Sequence, residues 1–368
     1  MQLYEYQKRV AQFIRHGKSV ILQAPTGTGK TLAALWPFIE MWDRKQPMSF
    51  PRKCIYSVPM RVLATQFREE IDTLINEKMI LAEPPDVTIQ TGDQAQDPKF
   101  FGDLIFATID QSLSSALAVP YSLSAGMANL NAGAFYSSYL IFDEFHLFPL
   151  ADEEGAEGAL TTVLQLLMQV KGVTPFVLMT ATFSSTMLQA LATLLEAEVV
   201  QVPPEEYRKI AQGTADAPRG RSYQVHDSLL TAEAIMEAHQ RRTLVICNQV
   251  KRAQELFEAL QTENDGSVQI ELLHSRFLPE HRREKEARIR REFGKDVSQQ
   301  SVESMIVVAT QVIEVGLDIT CEALHTEIAP ANAIFQRAGR CARYPGEFGI
   351  VHIYQVPLRA RKDGVSYR

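Results

Sequence analysis

A glycine-rich segment that ends in a lysine and a threonine is the first part of the sequence whose residue types could do chemistry. Its glycines let backbone N–H groups approach phosphates, and the start of a helix directly after it favours anions. Lys30 adds a positive charge at the β- and γ-phosphates, and the Thr31 hydroxyl can bind Mg²⁺. We therefore predict a site for ATP and Mg²⁺; the alternative is a glycine turn before a helix. The predicted loop comprises Ala24, Pro25, Thr26, Gly27, Thr28, Gly29, Lys30 and Thr31, with Ala24 replacing the first glycine of the general pattern.

Two adjacent carboxylates, Asp143 and Glu144, form the second candidate site. They directly follow the apolar run Tyr139–Phe142, and nucleotide sites form at the carboxyl ends of parallel strands. We expect Asp143 to join the Mg²⁺ shell and Glu144 to orient and deprotonate the attacking water. A solvated turn is the alternative. The position of the pair, after a series of strands and helices that follows Lys30, favours the functional interpretation.

These residues require elements that position them, and the sequence indicates such elements. Short aliphatic runs alternate with longer helical stretches, which predicts α/β domains with parallel β-sheets flanked by helices. In the first half the candidate strands are 19–23, 54–58, 87–90, 104–107, 139–142 and 177–179, and the candidate helices are 31–41, 63–75, 153–170 and 184–195. After the polar segment 203–221, strands recur at 243–247, 270–273, 304–308, 323–327 and 349–354. We therefore expect one domain at 1–204 and a second at 205–368.

Length, composition and charge limit the kinds of protein that this sequence can encode. A length of 368 residues exceeds what one hydrophobic core usually supports, and a net charge of −7 argues against nonspecific coating of nucleic acid. The basic segment 276–291 also carries glutamates, so it is either a solvated helix face or a binding surface. The amino terminus lacks a secretory signal and no apolar run approaches the roughly 20 residues that cross a bilayer. We therefore expect a cytoplasmic protein with no membrane partner.

The order and spacing of four motifs resemble those of the superfamily 2 DExH helicases. The motifs are Lys30 in its loop, Asp143-Glu144-x-His146, Thr180-Ala181-Thr182 and the segment Gln336-Arg337-Ala338-Gly339-Arg340-Cys341-Ala342-Arg343. The resemblance extends from Gln7 to Arg343 and implies two tandem RecA-like domains. A finer resemblance, carried by 274–277 and 336–347, is to the helicase part of the type I CRISPR-associated helicase-nuclease.

The resemblance implies roles for further polar residues. Gln7 matches a glutamine that reads adenine, although a lone glutamine on a helix is ordinarily a surface residue. Gly316 and Asp318 match positions close to the nucleotide. Contacts with the nucleic-acid backbone, which carry no sequence information, are implied for several positions. These positions are Arg61, Thr91, Gly92, Thr108 and Thr310.

The resemblance also implies that Gln336, Arg340 and Arg343 act on ATP from the second domain. We expect Arg340 and Arg343 on one face of a helix, at positions i and i+3. Planar, permanently charged guanidinium groups suit the charge that develops during phosphoryl transfer. Because Lys30 and Glu144 belong to the first domain, a complete site would need both domains.

The leading functional prediction is an ATP-driven translocase that moves 3′ to 5′ on single-stranded DNA and unwinds target DNA in type I CRISPR interference. It implies an RNA-guided CRISPR effector complex as a partner. No histidine cluster surrounds the single His226-Asp227 pair, so an HD nuclease is expected to be a separate partner. The alternatives are a DExH RNA helicase of another pathway and a nonenzymatic adaptor that uses the helicase fold for docking.

Overall fold

The structure is a computed structural model that describes residues 3–25, 27–43, 50–78, 83–147, 159–180, 183–214, 217–314, 316–356, 359–360 and 366–367. The chain divides into two compact units, Met1–Pro204 and Glu205–Arg368. Each unit is built around one large parallel sheet. Within the described ranges, no helix is long and apolar enough to cross a lipid bilayer.

The first unit contains a seven-stranded sheet. Its strands are β1 (Val20–Gln23), β2 (Cys54–Val58), β3 (Val87–Gln90), β4 (Leu104–Thr108), β5 (Tyr139–Phe142), β6 (Phe176–Thr180) and β7 (Glu198–Gln201). They pair in parallel in the order β3-β4-β2-β5-β6-β1-β7. The helices are α1 (Glu5–Arg15), α2 (Lys30–Asp43), α3 (Arg61–Thr73), α4 (Ile109–Ala116), α5 (Ala128–Tyr136), α6 (Ala159–Val170) and α7 (Ser185–Leu195). Every residue of β2, β4, β5 and β6 is buried, as expected where helices cover both faces of a parallel sheet.

The second unit contains a six-stranded sheet. The strands in this part of the chain are β8 (Gly213–Thr214), β9 (Ala217–Pro218), β10 (Gly220–Leu229), β11 (Arg242–Ile246), β12 (Gln269–Leu273), β13 (Met305–Ala309), β14 (Ala323–Glu327), β15 (Phe348–Gln355), β16 (Arg359–Ala360) and β17 (Ser366–Tyr367). The parallel order is β10-β15-β14-β11-β13-β12, and β8–β9 and β16–β17 are short antiparallel pairs. The helices are α8 (Pro204–Gln212), α9 (Ala232–Ala238), α10 (Val250–Glu263), α11 (Pro279–Glu292) and α12 (Ala331–Ala338).

The predicted α/β class with parallel sheets is confirmed, and the predicted strands lie within one or two residues of their observed bounds. In the two large sheets, two strands, β7 and β10, were not predicted. Both lie at the edges of their sheets, and most of their side chains are partly or fully exposed. They therefore lack the continuous apolar run that marks a buried strand.

Three histidines stack across neighbouring strands near the β10 edge of the second sheet. The ring centroids of His226 and His352 lie 5.3 Å apart, and those of His325 and His352 lie 4.6 Å apart. The Nδ1 atom of His325 lies 3.1 Å from the Tyr354 hydroxyl. Burial, together with the neighbouring histidines, lowers the pKa of His325 to about 3. The histidine of the His226-Asp227 pair thus belongs to a packed stack of aromatic rings.

We expect the stability of the second unit to fall as the pH decreases below about 6.5. The pKa of His325 is lower in the folded chain than the ordinary 6.5, so the unfolded chain binds the proton first. Above about pH 6.5 this difference in pKa does not lower the free energy of unfolding. Near pH 5 it lowers the free energy of unfolding by about 2 kcal/mol for this ring.

Thermal unfolding of His325→Phe at a series of pH values checks this expectation. The variant should lose less stability than the wild type between about pH 6.5 and pH 5. His281→Phe is the matched control, because His281 lies exposed on α11. Equal slopes in all three proteins would contradict the explanation.

Candidate functional site

The predicted phosphate loop connects β1 to α2 in the first unit. Gly27 and Gly29 have φ angles of 78° and 87°, a left-handed conformation that other residues rarely adopt. The Thr28 hydroxyl donates to the Pro25 carbonyl at 2.7 Å. The Ala24 N–H donates to the carbonyl of Thr180 at 3.1 Å, which ties the loop to the end of β6. Of the predicted loop, Thr26 lies outside the described residues, as do Ala181 and Thr182 of the third motif.

Helix α1 holds the other side of this loop. The Tyr6 hydroxyl donates to the Thr28 carbonyl at 2.6 Å, and the Gln7 Nε2 donates to the Gly29 carbonyl at 3.1 Å. The Gln7 Oε1 accepts from the Tyr4 backbone N–H at 2.9 Å. A Cβ atom at Gly29 would lie 2.8 Å from the Gln7 Nε2, so this close approach requires glycine. Gln7 therefore shapes the loop, and its role toward adenine stays a prediction.

The structure brings both predicted carboxylates to the loop. The Lys30 Nζ lies 2.9 Å from the Glu144 Oε1 in a mostly buried ion pair. The Asp143 Oδ1 accepts from the backbone N–H of Glu144 at 2.8 Å, and its Oδ2 accepts from the Tyr56 hydroxyl at 2.6 Å. Glu144 has a φ of 48°, which turns the chain sharply after β5. Three of the residues predicted to be catalytic thus lie together.

The environment of Asp143 changes its proton affinity. Burial is the largest cause and, together with the nearby Glu144 carboxylate, raises the pKa of Asp143 from 3.8 to about 6. The Lys30 charge and the hydrogen bond from Tyr56 act in the opposite direction. These two groups therefore offset part of the cost of burying the charge of Asp143.

The oxygen atoms of Thr31 and Asp143 fit a magnesium ion. Hydroxyl and carboxylate oxygens are hard ligands, and both residues lie near the Tyr56 hydroxyl, which donates to the Asp143 Oδ2 at 2.6 Å. Magnesium usually takes its other ligands from water and from phosphates. A site of this kind needs no cluster of three metal-binding side chains, and the described residues contain none.

The predicted backbone-contact residues of the first unit lie at the carboxyl edge of its sheet. The Arg61 Nη1 lies 2.6 Å from the Asp93 Oδ1, and both side chains are mostly exposed. A Cβ atom at Gly92 would lie 2.8 Å from the Arg61 Nη2, so the guanidinium packs against the glycine backbone. Thr91 directly follows β3, and Thr108 ends the adjacent strand β4. Arg61, Thr91 and Gly92 are thereby brought together.

In the second unit, the predicted nucleic-acid and nucleotide contacts lie in the segment after β13. Thr310 is buried, and its N–H donates to the Leu273 carbonyl at 3.2 Å. Gly316 has a φ of 85° and accepts from the Arg290 Nη2 at 3.2 Å. Asp318 lies close to a predicted catalytic residue, because its Oδ1 is 2.5 Å from the Arg343 Nε.

The prediction that Arg340 and Arg343 share one helix face is wrong. Helix α12 ends at Ala338, with Gly339 as its C-cap, so both arginines lie beyond it. The chain then pairs with Cys321 at Cys341 and takes a left-handed turn at Ala342, where φ is 44°. The Arg340 guanidinium donates to the carbonyls of Leu317 and of Glu314, the latter at 2.6 Å. Gln336 lies on α12 and is buried.

Arg337, to which the sequence assigned no role, is the largest fully buried side chain described. Its Nε lies 2.7 Å from the Glu314 Oε1, and its Nη2 donates to the Asn248 Oδ1 at 3.0 Å. Its Nη1 donates to the Thr326 hydroxyl at 2.8 Å and to the Glu327 carbonyl at 3.1 Å. The arginine therefore joins the ends of β11 and β14 to the segment after β13. Only its place in the 336–343 motif could have indicated importance.

A cavity of about 1120 Å³ opens beside Arg337 at the carboxyl edge of the second sheet. Its wall includes Asn248, Gln311, Ile328 and Pro330.

The basic segment 276–291 lies mostly on α11, where glutamates pair with several of its cations. The Arg282 Nε lies 2.6 Å from the Glu286 Oε1. Lys285 and Arg288 both pair with Glu271 on β12, the latter at 3.2 Å. This pairing favours the interpretation as a helix face over that as a binding surface.

Two family models match the sequence. The DEAD/DEAH box helicase model matches residues 4–190, and the model of the C-terminal part of the CRISPR-associated nuclease/helicase Cas3 matches residues 239–346. The CRISPR-associated helicase Cas3 of Thermoproteus tenax is 26% identical over 360 residues, which covers 95% of this chain and 58% of that protein. The CRISPR-associated endonuclease/helicase Cas3 of Escherichia coli is 26% identical over 376 residues, which covers 88% of this chain and 40% of that protein. The chain thus spans about half the length of the curated relatives it matches.

Solved structures show the same architecture. The T. fusca Cas3–AMPPNP structure has a TM-score of 0.68 at 18% identity and covers 97% of this chain and 47% of that one. The structure of the DUF1998 helicase MrfA bound to DNA has a TM-score of 0.67 at 18% identity and covers 96% of this chain and 46% of that one. These likenesses confirm the predicted fold of two tandem RecA-like α/β domains.

We expect Arg337→Ala to destabilise the second unit by about 3–5 kcal/mol, because it leaves the Glu314 carboxylate buried without its partner. Arg337→Lys keeps the charge but loses the forked hydrogen bonds, so its loss should be smaller. Arg288→Ala is the control, since its ion pair with Glu271 is more exposed and should contribute less than about 1 kcal/mol. Urea unfolding measures all three, and a loss below about 1 kcal/mol for Arg337→Ala contradicts the expectation.

Proposed function

Because the chain belongs to the DEAD/DEAH box helicase family, we propose that it is an ATP-driven translocase and helicase core that acts on single-stranded DNA. The observation that carries the proposal is the convergence of Lys30, Asp143 and Glu144 at one glycine-rich loop. A cation for phosphate, a carboxylate for a metal and a carboxylate for water are the groups that phosphoryl transfer requires.

The residues of the first unit divide this chemistry among them. Lys30 and the loop backbone bind the phosphates of ATP, and Thr31 and Asp143 hold Mg²⁺. The cation neutralises charge on the β- and γ-phosphates. The phosphates compete with Glu144 for Lys30, because both are anions that pair with the same ammonium group. Once released, the Glu144 carboxylate can orient the attacking water and accept its proton.

The second unit supplies positive charge for the same reaction. We propose that Arg340 and Arg343 stabilise the developing charge on the transferred phosphoryl group, with Gln336, Gly316 and Asp318 close to the nucleotide. Arg340 is oriented by the carbonyls of Glu314 and Leu317, and Arg343 by Asp318. A guanidinium is a planar fork of N–H donors that matches the geometry of a phosphate. Hydrolysis then needs both units.

Residues at the carboxyl edges of the two sheets form the proposed DNA-binding surface. Arg61, Thr91, Gly92 and Thr108 contact the DNA backbone from the first unit, and Thr310 does so from the second. These residue types suit phosphates and sugars and do not read base edges, so binding does not depend on sequence.

The names of the relatives suggest the biological setting. The matched proteins of Thermoproteus tenax and Escherichia coli are CRISPR-associated helicases. We therefore propose that this chain acts in the cytoplasm and unwinds target DNA in the 3′ to 5′ direction after recruitment by an RNA-guided CRISPR effector complex. An HD nuclease is the proposed partner that cuts the exposed strand.

A panel of polynucleotides tests the proposed function. ATP hydrolysis is measured with no polynucleotide, with single-stranded DNA and with RNA of the same sequence, using Lys30→Ala as the inactive reference. We expect DNA to stimulate hydrolysis at least about tenfold, because bound DNA organises the groups that act on phosphate. Stimulation by RNA alone supports an RNA helicase, and no stimulation by either supports an adaptor without enzymatic activity.

Glu144→Gln should bind ATP normally but hydrolyse it at least about 100-fold more slowly, because the amide cannot accept a proton from water. Single-turnover hydrolysis and nucleotide binding separate the two effects. Glu196→Gln is a matched control, since Glu196 has a similar left-handed φ of 51° in the same unit and is largely exposed. Near-normal hydrolysis by Glu144→Gln would refute its assignment as the base.

Arg61→Ala should weaken binding to single-stranded DNAs of unrelated sequence alike and reduce the slope of affinity against salt by about one unit. Asp93→Asn should strengthen binding, because Asp93 competes with phosphate for Arg61. Lys18→Ala is the control: Lys18 is an exposed cation paired with Glu198 before β1, at the opposite edge of the sheet. Fluorescence anisotropy across a salt series measures each affinity. An unchanged slope for Arg61→Ala would mean that Arg61 is an ordinary residue of the helix surface and does not contact the DNA backbone.

A further inference from the structure

Tyr56 is a fully buried residue of β2 whose hydroxyl group contacts the candidate cation site. The hydroxyl donates to the Asp143 Oδ2 at 2.6 Å, and the Thr31 side chain lies close to it. A phenol can donate one hydrogen bond while it accepts another, so Tyr56 can link the two oxygen ligands. The remaining Asp143 oxygen, Oδ1, accepts from the Glu144 N–H.

The surrounding sheet fixes the position of this hydroxyl. Tyr56 lies opposite Ile141 of β5 in the parallel register, two residues before Asp143. Its ring packs 5.1 Å from the ring of Phe106 and 5.6 Å from that of Phe67. A fully buried tyrosine packed against two aromatic rings cannot rotate away without opening the core, so the hydroxyl is preorganised.

We propose that Tyr56 is a positioning residue for the divalent cation of the proposed ATPase, an inference that rests on the proposed function. By accepting from Thr31 and donating to Asp143, Tyr56 orients lone pairs of both ligands toward one point. Groups that hold metal ligands from behind set the affinity for the metal, and their removal typically lowers it by about 10- to 100-fold. A phenylalanine would fill the same space in the core but would leave the Asp143 Oδ2 without this donor.

The experiment compares Tyr56→Phe with Tyr139→Phe. Tyr139 is the matched control, because it is also fully buried in this sheet and its hydroxyl donates to the Ala34 carbonyl at 2.8 Å. The affinity for Mn²⁺, a paramagnetic substitute for Mg²⁺, is measured in the presence of ADP by electron paramagnetic resonance. We expect Tyr56→Phe to weaken Mn²⁺ binding about tenfold and Tyr139→Phe to change it less than about twofold. Without metal, in EDTA, both variants should bind ADP as the wild type does.

A second measurement separates positioning from a loss of folded protein. In Tyr56→Phe, the concentration of Mg²⁺ that gives half-maximal ATP hydrolysis should rise about tenfold, and saturating Mg²⁺ should restore most of kcat. Misfolded protein cannot be recovered in this way. The proposal is overturned if Tyr56→Phe binds Mn²⁺ like the wild type, or if its ADP affinity falls equally in EDTA. Failure of the wild type to bind Mn²⁺ with ADP and to hydrolyse ATP instead overturns the proposed function.

Discussion

The buried ion pair between Lys30 and Glu144 is the interaction on which the candidate site depends. Asp143 is buried beside it, and three charges in a space with little water are tolerated only if each has a partner. Lys30, near the end of the phosphate loop, pairs with Glu144, and the Tyr56 hydroxyl and the backbone N–H of Glu144 donate to the two oxygens of Asp143. The left-handed glycines and helix α1 give the loop the shape that this arrangement requires.

Much of the fold could be predicted because buried parallel strands leave a continuous apolar signal. Strands β2, β3 and β5 were predicted with their observed bounds, and each is buried along most of its length. Strand β10 could not be predicted, because its edge position lets it carry polar and exposed residues such as Gln224 and Asp227. Where burial does not constrain the side chains, the sequence carries little information about backbone pairing.

The same limit applies to the site. Lys30, Asp143 and Glu144 were predicted because their types and order are tied to chemistry, and the structure places them together. Tyr56 and Arg337 were missed. An aromatic residue within an apolar strand looks like an ordinary residue of the hydrophobic core, and the sequence does not indicate which groups an arginine will contact. The end of α12 was also misplaced. The next proline, Pro345, comes six residues after Gly339, and the turn depends on pairing between Cys321 and Cys341, which are distant in sequence. The surroundings of Tyr56, the partners of Arg337 and the end of α12 all depend on contacts between segments that are distant in sequence.

The left-handed backbone at Glu144 and Ala342 has a consequence for how the sequence can change over time. A residue with a side chain pays about 1–2 kcal/mol for this conformation, whereas glycine does not. Glycine would relieve this cost at Ala342. At position 144 it would also remove the buried carboxylate that pairs with Lys30, and breaking a buried ion pair costs about 3–5 kcal/mol, which exceeds the gain. The backbone cost at Glu144 is therefore offset by the ion pair, and under the proposed function a relative with glycine at position 144 would retain the fold without the ATPase site.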